Sequence, residues 1–289
     1  MTAPRLHHVQ CLDGQGLHRM AYWEWGDPAN DRVLICVHGL TRQGRDFDVL
    51  AQDLSTHYRV VCPDVVGRGQ SDWLKDPSGY AVPAYVADMV TLIARLNART
   101  LDWVGTSMGG LIGLGVASLA GSPIRRLVLN DVGPRVEYAS LQRIGTYVGM
   151  PVTWPTVEAA AQGLWLISQG FGPHTPEQWM ALTRPQLKPN GQGGWISHYD
   201  PSIAIPFRAV TPELAQAGEA LLWQSYERIT ADTLVLRGAQ SDLLSRQTAQ
   251  QMTQRGPRAR LQEFEGVGHA PTLVAADQRA VVSEFLLKP

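Results

Sequence analysis

Short β-branched runs alternate with stretches whose apolar residues recur at helical spacing along both ends of the chain, and the alternation lapses in the middle. Residues 6–12 and 17–25, separated by Asp13-Gly14-Gln15-Gly16, predict an opening hairpin. Residues 33–37 (VLICV) are a continuous apolar run ending at His38-Gly39, the pattern of a strand buried on both faces. A short helix predicted over 46–55 leads to a second such run at 59–62. Over 83–97, Val86, Met89, Val90, Ile93 and Leu96 recur at the spacing of a helix with one buried face. Strands are predicted at 101–104 and 124–130, with a helix rich in small residues between them that runs to Ala120. Asp131-Val132-Gly133-Pro134 stops the second strand. Such alternation predicts an α/β fold, a parallel sheet with crossover helices.

From about residue 134 to 230 the chain carries scattered Pro and Gly and five of its nine tryptophans, Trp154, Trp165, Trp179, Trp195 and Trp223. This reads as an inserted helical region. The alternation then resumes, with strands at 233–236 and 261–264 and helices at 246–254 and 275–287. Residues 1–133 and 231–289 therefore predict one core domain, with residues 134–230 sitting on it as a helical cap. Some of the cap tryptophans are expected to face the cleft, because cap and sheet must enclose an apolar pocket between them.

Composition narrows the function more than the fold. The 289 residues can bury a sizeable core, and 25 basic against 26 acidic residues give a net charge of −1. No charge-driven affinity for nucleic acid or an anionic membrane is expected, and a small neutral or weakly charged substrate fits better. Nor is there a run of apolar residues long enough to span a bilayer or an apolar leader at the start, so a cytoplasmic location is expected. Cys11, Cys36 and Cys62 are odd in number and form no CxxC pair, which reads as reduced, buried thiols. With no HExxH, no Cys/His cluster and no dinucleotide fingerprint, neither metal nor cofactor is expected. The Asp64–Ser71 loop is glycine-rich but lacks the phosphate-cradling pattern and reads as structural. The oligomeric state is left open.

Gly105-Thr106-Ser107-Met108-Gly109 matches G-x-S-x-G between a predicted strand and a predicted helix, the context in which that motif carries a nucleophile. A turn this sharp strains the central residue, and glycines two positions away on each side remove the Cβ atoms that would clash. A serine hydroxyl attacks only with a base in reach. Of the eight histidines, His269 alone sits in a glycine-flanked loop after the last strand, Gly266-Val267-Gly268-His269-Ala270-Pro271. For the acid that orients the imidazole there are two candidates at strand ends, Asp242 after LVLRG and Asp131 in Leu129-Asn130-Asp131. Asp242 is preferred on the order nucleophile, acid, histidine along the chain, leaving Asp131 as a cap for the start of the insertion. The backbone N–H groups of Leu40 and Met108 are the expected oxyanion donors, and His38 the residue that braces the loop carrying the first of them.

Taken together, VHGLTRQGRDF, PDVVGRGQSD, VGTSMGGLIG, LNDVGP, HYDPSIAIPF, LVLRGAQSD and GVGHAP resemble the α/β-hydrolase superfamily of cofactor-free serine hydrolases, from about Trp25 to Phe285. The resemblance implies a mostly parallel eight-stranded sheet flanked by helices, a nucleophile elbow at Ser107 and an acyl-enzyme mechanism. The expected activity is hydrolysis of a carboxylic ester of a small, largely apolar substrate. Alternatives on the same residues are C–C bond hydrolysis of the meta-cleavage type, lyase chemistry, and a non-catalytic ligand receptor. Dehalogenases and epoxide hydrolases of similar pattern place an aspartate where this chain has Ser107, which disfavours both.

Overall fold

A computed structural model describes residues 3–288. The chain opens with the hairpin β1 (Arg5–Asp13) and β2 (Gly16–Trp25), followed by β3 (Val33–Val37), α1 (Asp48–Leu54), β4 (Arg59–Pro63) and α2 (Val82–Leu96). Next come β5 (Leu101–Thr106), α3 (Met108–Ala117) and β6 (Ile124–Asn130). Between β6 and the next sheet strand lie α4 (Tyr138–Gly145), α5 (Val157–Ser168), α6 (Pro176–Thr183), the short strands β7 (Leu187–Pro189) and β8 (Trp195–Ser197), α7 (Ala204–Arg208) and α8 (Pro212–Glu227). The chain closes with β9 (Asp232–Gly238), α9 (Arg246–Met252), β10 (Arg260–Phe264) and α10 (Ala276–Leu287). No helix among the described residues is long and apolar enough to cross a membrane.

Eight strands form one sheet in the order β1-β2-β4-β3-β5-β6-β9-β10. β2 runs antiparallel to both its neighbours, and every other pairing from β4 to β10 is parallel. The expected α/β-hydrolase architecture of a mostly parallel, eight-stranded sheet is thus present. Side-chain alternation divides the core in two. Val33, Ile35 and Val37 of β3 pack with Trp103, Leu127 and Leu129 beneath α2 and α3. Leu34 and Cys36 pack with Val104, Val128, Leu234 and Leu236 against α1 and α10. Because helices cover both faces, all five residues of β3 are buried, which is why its sequence is unbroken by polar residues. Cys11, Cys36 and Cys62 are all buried as free thiols. His18 of β2 keys the hairpin to α2, its Nε2 lying 3.0 Å from Asp88 Oδ2.

Two expectations are corrected. The helix predicted over 46–55 is a 3₁₀ turn, Gly44–Phe47, followed by the shorter α1. It is displaced because Gly44 N–H is drawn to Asp64 Oδ1 at 2.7 Å and its Cα lies against the Cys62 carbonyl. The segment between β6 and β9 is not wholly helical either. β7 pairs antiparallel with β8, and Trp154 exchanges backbone hydrogen bonds with Trp195 beside them (2.9 and 2.8 Å).

Parallel strands end along one edge, and loops from β3, β5, β6, β9 and β10 meet there. A crevice outside the carboxyl ends of the strands is where this architecture places ligands.

Candidate active site

Ser107 is the single residue between β5 and α3. Its backbone is held at φ +52°, ψ −117°, a conformation that costs a non-glycine residue about 1–3 kcal/mol and survives only where the surroundings impose it. Packing imposes it. A Cβ on Gly105 would lie 2.2 Å from the Gly109 carbonyl oxygen, and one on Gly109 would lie 2.0 Å from that of Val37. Strand, turn and helix therefore meet backbone to backbone. Ser107 N–H donates to Asn130 O at 2.9 Å, while the Ser107 carbonyl accepts from Gly110 and Leu111 and starts the helix.

His269 reaches over from the loop after β10, with Nε2 at 2.9 Å from Ser107 Oγ. The loop is stitched in place by Gly268 N–H to Gly170 O (2.6 Å) and by Gln240 N–H to Val267 O (2.9 Å). Gly238 permits the approach, since a Cβ there would lie 2.1 Å from the Gly268 carbonyl oxygen.

The carboxylate on the other side of the imidazole is Asp131, not Asp242. Asp131 Oδ2 is 2.7 Å from His269 Nδ1 and also accepts from Ser241 Oγ at 2.6 Å, while Oδ1 accepts from Gly238 N–H at 2.9 Å. Asp131 is fully buried, so three donors compensate its charge where water cannot. Asp242, the expected acid, lies outward at 49% side-chain exposure, its carboxylate held by the Arg143 guanidinium at 2.8 and 3.0 Å. The turn after β9 sends Ser241 inward and its neighbour out. Asp131 therefore does not cap the following segment; its side chain is spent on the imidazole.

Leu40 flanks Ser107 from the loop after β3, and Met108 from the first turn of α3. Gly39 is near enough that a Cβ on it would sit 3.8 Å from Ser107 Cβ. Neither Leu40 N–H nor Met108 N–H has a protein acceptor among the described residues. Sequence reasoning passed over the residue that ties these two together. Arg68, fully buried, donates from Nε to Leu40 O at 2.8 Å, from Nη1 to Val66 O and Tyr85 Oη, and from Nη2 to Met108 Sδ at 3.4 Å. The loop that supplies it lacks a phosphate pattern, and only a charged residue within an apolar, glycine-rich stretch could have signalled it.

His38 is fully buried below the same loop; Nε2 accepts Val65 N–H at 2.9 Å, so Nδ1–H donates to Gly39 O at 2.7 Å. Burial pushes its pKa down to about 3, with the nearby Arg68 and Arg42 charges acting in the same direction. In the unfolded chain the imidazole takes up a proton near its ordinary value of 6.5. The stability His38 contributes is therefore complete above pH 6.5 and drains away as pH falls from 6.5 towards 3, at up to about 1.4 kcal/mol per pH unit. Between about pH 7 and about pH 5, urea unfolding of the wild type should lose about 2 kcal/mol more than that of His38→Gln. A difference below about 0.5 kcal/mol would show that this imidazole already binds its proton in the folded state.

A cavity of about 160 Å³ opens over Ser107 and His269. Its apolar wall comes from Ile144, Val148, Leu164, Ile167, Phe171 and Leu182, and its polar groups include Arg42, Arg143, Gln186 and Tyr199. None of the five tryptophans lines it. Trp165 and Trp179 meet edge to face at 5.0 Å, Trp154 and Trp195 pack around Val157 and Leu187, and Trp223 lies against Tyr226 at 5.7 Å. Trp154, Trp195 and Trp223 are packing residues, while Trp165 and Trp179 line a separate hollow with His174 and Met180.

The profile of the Alpha/beta hydrolase family matches residues 34–284. The chain is 57% identical over 287 residues to a 3-hydroxybutyrate-oligomer hydrolase of Cupriavidus necator, spanning 98% of each chain. Its fold superposes on the crystal structure of an α/β-hydrolase from Novosphingobium aromaticivorans with a TM-score of 0.86, at 33% identity and full coverage of both chains. It is similar in fold also to E-2-(acetamidomethylene)succinate hydrolase, with a TM-score of 0.81 at 20% identity, covering 98% of this chain and 99% of the other. Strand order, elbow and sequence agree: the chain belongs to the α/β-hydrolase family.

Proposed function

We propose that the protein is an ester hydrolase acting on short-chain esters of hydroxy acids through an acyl-enzyme on Ser107. The observation that carries this reading is the continuous line of hydrogen bonds from Ser107 Oγ through His269 (2.9 Å) to Asp131 (2.7 Å) at the floor of a cavity. As Ser107 Oγ bonds to the acyl carbon, its proton passes to His269 Nε2. The Nδ1–H bond to buried Asp131 holds the reactive tautomer and stabilises the imidazolium. The acyl oxygen, now an oxyanion, is met by the free Leu40 and Met108 N–H groups, which Arg68 and the elbow hold in advance. When the ester C–O bond breaks, His269 returns the proton to the leaving alkoxide. Water then enters and attacks the acyl carbon as it gives a proton to His269, and as the acyl–Oγ bond breaks His269 passes that proton to Ser107 Oγ and the acid is released. The substrate class is suggested by the similarity to an enzyme named for 3-hydroxybutyrate oligomers and by cavity size. About 160 Å³ accommodates a short ester. Residues 134–230 act in this reading as a cap, supplying Leu164, Ile167, Phe171 and Leu182 to the wall.

A panel of p-nitrophenyl esters of graded acyl length tests the proposal. A buried methylene is worth about 0.8 kcal/mol, so kcat/KM should rise about fourfold per carbon until the cavity is full and then fall, with the peak at short acyl chains. Phe171→Ala should move the peak by about two carbons towards longer chains. A flat profile, or one that peaks at long chains in the wild type, would count against a short-ester enzyme, and an unmoved peak in the variant against the cap as selector.

A further inference from the structure

Both arginines on the cavity wall are salt-bridged, but in different ways. Arg42 grips Asp46 with Nε and Nη2 at 2.7 and 2.8 Å, the pair is mostly buried, Gln186 Nε2 adds a third donor to that carboxylate, and Phe171 lies under the guanidinium. Its charge is cancelled inside the wall. Arg143, on α4, also lines the cavity, yet its partner Asp242 sits on the solvent side, with the two side chains 47% and 49% exposed. Nε and Nη2 carry that contact, and Nη1 has no hydrogen-bond acceptor among the described residues. Exposed ion pairs are weak and exchange readily with another anion, while a guanidinium fork still has the geometry to take a second carboxylate. An oligomer of a hydroxy acid has one feature that a simple ester lacks: whichever ester bond is cut, the fragment leaving as the alcohol ends in a carboxylate.

We propose that Arg143 is an anchor for the terminal carboxylate of the substrate, making the site selective for anionic hydroxy-acid oligomers over neutral esters. Asp242 sets the guanidinium in place from outside, which gives this carboxylate a function other than holding the imidazole. The inference rests on the ester-hydrolase reading.

The test compares the linear dimer of 3-hydroxybutyric acid with its methyl ester, which lacks that charge, and follows in both only cleavage of the internal ester bond, read from the two fragments released. Wild-type kcat/KM should favour the acid, through KM, and the preference should shrink as salt is raised. Arg143→Met should lower the acid-to-methyl-ester ratio by about tenfold, and Arg143→Lys, which keeps the charge but not the fork, by less. Should the Met variant fail to fold, the salt dependence of the wild-type ratio decides alone. An unchanged ratio in a folded Arg143→Met, or a wild-type ratio of one at low salt, overturns the anchor while leaving the hydrolase reading standing. Wild-type enzyme that turns over neither dimer nor p-nitrophenyl butyrate sinks both.

Discussion

Replacing Ser107 by alanine is expected to lower kcat on any ester the wild type turns over by about 10⁴-fold or more, with little change in melting temperature. The loss should be this large because Ser107 Oγ is the one hydroxyl within hydrogen-bond reach of His269 Nε2 among the described residues. Thr106, Ser168, Ser197 and Thr272 line the same cavity, but none is hydrogen-bonded to that imidazole, and Thr106 Oγ1 already accepts from Asn130 Nδ2. Stability should be nearly untouched for a separate reason. The strained backbone at φ +52° is imposed by Gly105 and Gly109 packing against their neighbours, and alanine tolerates it no worse than serine. Steady-state kinetics beside thermal unfolding checks both halves. A folded variant that keeps a tenth of the activity would take this serine out of the mechanism.

The second large effect separates the two aspartates. Asp131→Asn should reduce kcat by about 10⁴-fold, whereas Asp242→Asn should leave turnover of p-nitrophenyl butyrate within a few-fold. An amide at 131 has one acceptor oxygen where the carboxylate has two, and three donors converge there, from Gly238 N–H, Ser241 Oγ and His269 Nδ1. If the amide NH₂ faces Nδ1, the imidazole must carry its proton on Nε2, and it can no longer accept one from Ser107. The substitution also strands a buried donor, at a cost of about 1–3 kcal/mol, so each variant should be assayed below its own melting transition. Asp242→Asn removes one half of an exposed ion pair and nothing that touches His269. Comparable losses from the two variants would mean that the loop after β9 rearranges during turnover and that Asp242 reaches the imidazole.

The division between these aspartates marks the limit of what the linear chain discloses. The strands of the eight-stranded sheet, the hairpin, the elbow glycines, the elbow serine and the histidine were all legible, because each is announced by residues adjacent in the chain. Apolar runs in β3 and β6 state their own burial, and Gly-x-Ser-x-Gly between strand and helix states its own geometry. The identity of the acid is not local. Nucleophile, acid and histidine follow the same chain order whether the acid stands at 131 or 242. Only the pairing of β6 with β9, Asn130 opposite Leu236, brings both strand ends to one level. There the turn geometry chooses, directing Ser241 to Asp131 and Asp242 to Arg143. The tryptophans failed as a guide for a related reason: apolarity says that a side chain leaves water, not whether it faces a core or a cavity. Arg68, which joins the Leu40 loop to the first residue of α3, had no neighbouring pattern to betray it. The sequence by itself thus determined the sheet, the elbow serine and the loop histidine that faces it, since short-range sterics and hydrophobic periodicity specify them. Tertiary structure alone decided which carboxylate meets the imidazole, the brace and the cavity wall, because these depend on which backbone ends meet across the sheet and which way each turn aims its side chains.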